Sequence, residues 1–190
     1  MVIAGSMPPS DDIRSPAEGP LQTGLAVADD VRSPITRALL DYWRNKKGDA
    51  PGLRWRDVNL MDIYTIAPYL CICDAEDDGR EFRARYSGTG IAQMFHEDRT
   101  GKLLAEMFGP EAAKVVAERY RLAITANGSV RKVGQLNLAR EDLPVTFEGI
   151  YLPLVGESGG IDHVISAYDF NFKPSADDAL AASIAPAYRE

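Results

Sequence analysis

EFRARYSGTGIAQMFHEDRTGKLLAEMFG, residues 81–109, changes its period partway along. Phe82, Ala84 and Tyr86 alternate with Arg83, Arg85 and Ser87, which predicts a half-buried strand over 80–87 with the first three side chains on its apolar face. Gly88-Thr89-Gly90 breaks the alternation. Ile91, Met94 and Phe95 then follow at helical spacing, and after the polar Asp98-Arg99-Thr100-Gly101 turn Leu103, Leu104, Met107 and Phe108 resume it. A strand that runs into short, tightly turned helices leaves a concavity over its sheet, and the rest of the chain supplies the floor.

Upstream, Tyr69 to Ala75 is a short apolar run that reads as a buried strand. Glu76-Asp77-Asp78-Gly79 joins it to the strand 80–87 as a hairpin turn. The grouping of Leu60, Met61, Ile63, Tyr64 and Ile66 predicts a second helical segment over 57–67, stopped by Pro68. Residues 47–52 form a linker. Before it, Ser33-Pro34 is an N-cap with a first-turn proline, and Ile35, Ala38, Leu39, Tyr42 and Trp43 form the apolar stripe of a helix over 34–46. So short a helix is marginal alone, and its stripe must be buried against this domain or a second copy. Residues 1–32 lack apolar periodicity and are expected to be a mobile arm.

Downstream, Gly109-Pro110-Glu111 opens a longer helix that Asn127-Gly128 stops. Strands are expected over 130–139, 145–155 and 161–170, and the short turns at 140–144 and 156–160 make them an antiparallel meander. A loose tail, 172–190, closes the chain. Two strands, a helical crossover and three strands define an α+β fold with one five-stranded antiparallel sheet, covered on one face by the short helices and the longer one, with the amino-terminal helix added.

Length bounds the organisation to one domain plus tails, the domain running over 53–171. A net charge of −7 with scattered basic residues argues against a surface that tracks phosphates, and so against nucleic-acid binding. No apolar run approaches the roughly 20 residues of a membrane span, and the amino end lacks a secretory pattern, so a cytoplasmic protein is expected. Cys71 and Cys73 share one face of a strand as small core residues, and their spacing is not that of a zinc module.

The order of elements resembles the PAS domain family, and more narrowly the small single-domain PAS proteins common in alphaproteobacteria. The residues carrying the resemblance are Leu39, Leu40, Tyr42 and Trp43, then Phe82, Arg83, Arg85 and Gly88-Thr89. Asp98-x-Thr100-Gly101, residues 148–154 and residues 159–165 complete it. Ser87 departs from it, standing where an apolar residue is commoner. The resemblance implies a sensory or interaction module of bacterial signalling that holds a small ligand between sheet and helices and passes a change to a partner.

The chemistry-bearing residues narrow that expectation. Only His96 and His163 are available as bases, neither in a nucleophile elbow, so no catalytic or metal site is expected. Haem and flavin are the cofactors the resemblance brings into view. No motif supports either: residues 110–127 contain no histidine, and both cysteines precede the crossover in which a PAS flavin site would need one. The ligand-binding candidates are Ile91, Met94, Phe95, Met107, Phe108, Tyr120, Ile124 and Tyr151, with Arg85 and His96 as polar contacts; a dry, packed core is the alternative. The helix 34–46, through Ile35, Leu39, Tyr42 and Trp43, is expected to be a dimer or partner surface, with a homodimer or a histidine kinase or other two-component protein as partner. A ligand-free adaptor and a small-molecule enzyme are the rival functions.

Overall fold

The computed structural model describes residues 26–27, 30–136 and 145–176. The expectations for residues 1–25, for the strand end and turn at 137–144 and for the tail beyond 176 lie outside them. Among the described residues, seven strands form one sheet: β1 (Ala26–Val27), β2 (Leu53–Arg54), β3 (Leu70–Glu76), β4 (Glu81–Ser87), β5 (Val130–Leu136), β6 (Val145–Val155) and β7 (Ile161–Asp169). Their order is β1-β5-β6-β7-β3-β4, and every pairing along it is antiparallel. The five long strands are the expected floor, with β3 and β4 joined edge to edge to the late meander through β7. The two-residue strands were not foreseen: β2 lies parallel to the end of β6, and β1 pairs with β5. The described part of the amino-terminal arm is therefore packed on the domain, with Val31 fully buried.

Helices cover both faces. On one lie α2 (Thr89–Phe95), α3 (Leu104–Phe108) and α4 (Pro110–Ala126), and on the other lies α1 (Pro34–Lys47) with the short turns that follow it. β6 is consequently buried on both sides: Phe147 and Tyr151 face α4, while Ile150, Leu152 and Leu154 face α1.

α1 begins as its sequence dictates. Ser33 caps it, the Oγ accepting from the Ile35 N–H at 3.1 Å, with Pro34 in the first turn. Leu39 and Leu40 are fully buried against the chain's own sheet, each contributing about 1.5–3 kcal/mol. Trp43 is buried as well, and its Nε1 donates to the Pro153 carbonyl at 3.0 Å. This corrects the expected partner surface: Leu39 and Trp43 are core residues, and of the four only Ile35 and Tyr42 remain partly exposed.

The segment 57–67 does not form one helix. Three short turns, Trp55–Asp57, Leu60–Ile63 and Ala67–Tyr69, replace it. The Asn59 Oδ1 accepts from the Met61 N–H at 3.1 Å and starts a new turn there, and the apolar residues, spaced irregularly, divide between core and solvent: Ile63 and Ile66 are buried, Met61 and Tyr64 exposed. The last turn presses on the hairpin, so that a Cβ at Gly88 would lie 2.3 Å from the Pro68 carbonyl oxygen. Only glycine fits there.

One irregularity decides the site. β3 and β4 pair Cys73 with Ala84 but Ile72 with Tyr86, leaving Arg85 as an extra residue in a β-bulge. Beyond the bulge the faces exchange, because one added residue moves each following side chain across the sheet. Phe82 and Ala84 face α4, as the alternation predicts. Tyr86 turns instead to the α1 face, its hydroxyl donating to the Ala67 carbonyl at 3.0 Å, and Ser87 joins the α4 face opposite Cys71.

Candidate ligand-binding site

Between the sheet and α2–α4 lies a cavity of about 50 Å³. Its roof is the crossover from β4 to α4, held down along the free edge of β4: the Gly101 N–H donates to the Ala84 carbonyl at 2.7 Å, and the Ala84 N–H to the Lys102 carbonyl at 2.9 Å. The turn before that edge is set by Asp98, whose Oδ1 accepts from the Thr100 N–H at 2.9 Å. That bond holds the Asp98 carboxyl below its ordinary range. His96 ends α2 in the left-handed conformation, φ 54°.

The sequence located the roof. Ile91, Phe95, Met107, Phe108 and Tyr120 all line the cavity. Met94 and Ile124 pack beside it, and Tyr151 is fully buried in the same core, its hydroxyl accepting from Arg119 Nη1 at 3.2 Å. Both polar candidates lie elsewhere. Arg85 is the bulge residue and sits on the other face, its Nε 2.7 Å from Asp74 Oδ1 and its guanidinium 5.5 Å from the centre of the Trp55 ring. His96 is exposed at its helix end.

The residues not foreseen come from places far apart in the chain. Leu136, Phe147, Tyr168 and Phe170 rise from the late strands and the residue just past them, Val116 and Arg119 from α4, and Cys71 and Ser87 from the hairpin. The floor holds a chain of hydroxyls: Ser166 Oγ lies 3.2 Å from the Tyr168 hydroxyl, which lies 3.0 Å from that of Tyr120. Burial pushes both phenols above their ordinary range, so they stay neutral donors. Cys71 and Cys73 are free thiols on this face, Sγ to Sγ 3.7 Å; that contact and burial push the Cys73 thiol up.

Arg99 is the notable group. It is 6% exposed, and its guanidinium lies 3.6 Å from the ring centre of Phe95 and 4.5 Å from that of Phe108. Burial lowers its pKa to about 10, so at neutral pH it is a charge inside the protein. Its Nε has no hydrogen-bond partner. Arg99 lay in plain view in the Asp-Arg-Thr-Gly turn, but such turns are usually solvated, and nothing local marks this one as folded inward. On the same face Lys132, from β5, is 6% exposed; burial first and the Arg119 charge second lower its pKa to about 7.

A flavin or haem does not fit this interior, since pockets for ligands of that order run to about 300–1,000 Å³. No histidine lines the cavity, and the cysteine that does comes from β3. His163, on β7, belongs to the opposite face, its Nδ1 3.2 Å from Asp74 Oδ1 and its ring against Trp55. Among the described residues no group of three His, Cys, Asp or Glu side chains could hold a metal ion, and no helix is long and apolar enough to cross a membrane.

An antiparallel sheet with short helices roofing a small cavity defines an α+β domain. Residues 31–168 match the model of a family described as PAS domain, well over half of the chain, and the chain belongs to that family. No curated protein matches it. Similar solved structures include the light state of the blue-light photoreceptor Aureochrome1 LOV, 16% identical, covering 66% of this chain and 96% of that one with a TM-score of 0.42. A fungal LOV domain photoreceptor is 16% identical, covering 67% and 98%, at 0.40. An RNA-binding light-oxygen-voltage receptor is 12% identical over 88% of this chain and 41% of that one, at 0.43. At these identities and scores the three carry nothing about function.

Proposed function

We propose that this chain is a non-enzymatic, cytoplasmic signalling module that binds a small molecule beneath its crossover and acts through contact with another protein. The observation that carries the reading is the cavity beneath the crossover: the roof is a separate segment laid along β4, so a change beneath it can shift the roof without unfolding the sheet. A ligand acts only as far as it favours one arrangement over another. The output is contact with a second copy of this chain or with a two-component protein such as a histidine kinase. With Leu39 and Trp43 inside, that contact falls to the outer side of the α1 layer, where Tyr42 is partly exposed and Met61 and Tyr64 are 75% and 67% exposed.

The small volume of the cavity favours one competing reading, a ligand-free adaptor. Native mass spectrometry on protein purified from its own host separates the two. A retained mass lost on denaturation supports the sensor. A bare chain that still captures its partner supports the adaptor.

A further inference from the structure

Among the described residues, three buried side-chain nitrogen or oxygen atoms have no hydrogen-bond partner, and two of them, Ser87 Oγ and Arg99 Nε, belong to residues that line the same cavity. We infer that the cavity is an anion site that takes the carboxylate of a short apolar monocarboxylic acid. The inference rests on the sensor reading and gives its ligand a chemical class.

A buried charge without a partner is costly, and natural chains rarely keep one. Of the two acids just before Arg99, Asp98 accepts from the Thr100 N–H and Glu97 is bound to Lys102, so the Glu97 charge offsets only part of the cost of burying Arg99. Among the described residues no carboxylate pairs with Arg99. Phe95 and Phe108 stabilise the cation through its faces. Ring faces leave the in-plane N–H groups unused, and those groups form the fork that matches a carboxylate. Ser87, put on this face by the bulge at Arg85, adds a partnerless hydroxyl in the residues of the wall, which a small rotation of its side chain would turn to a ligand. Donors of this kind, one of them cationic, call for an acceptor with negative charge.

Size and lining select the rest of the ligand. A water needs about 10–15 Å³ in a cavity of this kind, so the space holds roughly four such groups: a carboxylate and one to three carbons. The carbons would lie against apolar side chains, Ile91 and Met107 among them. Arg119 also lines the cavity but is engaged with the Tyr151 hydroxyl, so a dianion such as phosphate would bring more charge than Arg99 alone neutralises.

The test is calorimetric titration of the purified full chain with sodium acetate, propionate, butyrate and octanoate to about 20 mM at constant ionic strength, with 1-propanol and inorganic phosphate as controls. Saturable binding is expected for at least one acid of two to four carbons, and none for octanoate, propanol or phosphate. Arg99→Met should weaken the preferred acid about tenfold or more. Ser87→Ala should weaken it less, with an unchanged melting temperature. If Arg99→Met does not fold, Arg99→Lys, which keeps the charge but loses the fork, should still weaken binding several-fold. Absence of saturable binding by all the short acids, equal binding of phosphate or propanol, or full affinity in the Arg99 variant each overturns the inference. A retained host ligand that is not an acid would also overturn it and leave the sensor reading standing.

Discussion

Glu148 and Arg99 are charges removed from water on opposite faces of one sheet. Around the Glu148 carboxylate, which is fully buried, the Ser33 N–H donates at 2.7 Å, the Arg32 N–H at 3.1 Å, the Thr36 hydroxyl at 2.6 Å and Arg131 Nε at 2.7 Å. Those donors are the start of α1 and the neighbouring strand, so the buried anion fastens the helix to the sheet while easing the positive end of its dipole. Around Arg99 there are two aromatic rings and a cavity. The difference teaches where each face has finished folding. The Glu148 charge is met by donors of the protein itself, which is why α1 belongs to the core, and the Arg99 guanidinium is met by no hydrogen bond among the described residues, which is where a ligand would act.

The contrast can be broken in order of expected effect. Glu148→Ala should destabilise the chain by about 3–5 kcal/mol in urea unfolding, because it takes the buried countercharge from the half-buried Arg131 and the acceptor from the start of α1. A loss below about 1 kcal/mol would mean that the network is not holding the helix. Thr36→Val removes one donor to the same carboxylate and should cost about 1.5–3 kcal/mol, read from the same melts.

Lys132 sharpens the other side. Its pKa is about 7 in the fold against an ordinary 10.5, so between those values the unfolded chain binds more protons. The destabilisation is present in full below pH 7 and is relieved as the pH rises, with a slope of at most about 1.4 kcal/mol per pH unit. Unfolding measured from pH 7 to 9 should show stability rising in the native chain and a flatter profile in Lys132→Met. The smallest effect has the opposite sign to the first: Arg99→Met should stabilise the ligand-free chain by about 1 kcal/mol, the relieved desolvation outweighing the lost ring contacts. A destabilisation of that size instead would make Arg99 a structural cation.

The roof was legible because its signals are local. Ile91, Phe95, Met107 and Phe108 were found from spacing within one segment, and Gly88 and Asp98 mark turns whose chemistry a short sequence carries. The walls were not, since Phe147, Tyr168 and Leu136 reach the cavity only after non-local strand pairing. Arg85 was misplaced and Ser87 unassigned for a single reason: a bulge is a relation between two strands, and neither strand alone reveals it. The departure from the family pattern at Ser87 falls on a residue of the cavity wall.

By itself the sequence determined the order of the long elements, the five long strands and the single crossover, because hydrophobic period, caps and turn residues act over a few neighbours. Tertiary structure alone decided that α1 spends its stripe on its own sheet, that the faces exchange at Arg85, and that one guanidinium is shut inside without an anion. Each of these depends on which surfaces meet, and contact between distant segments is settled by packing.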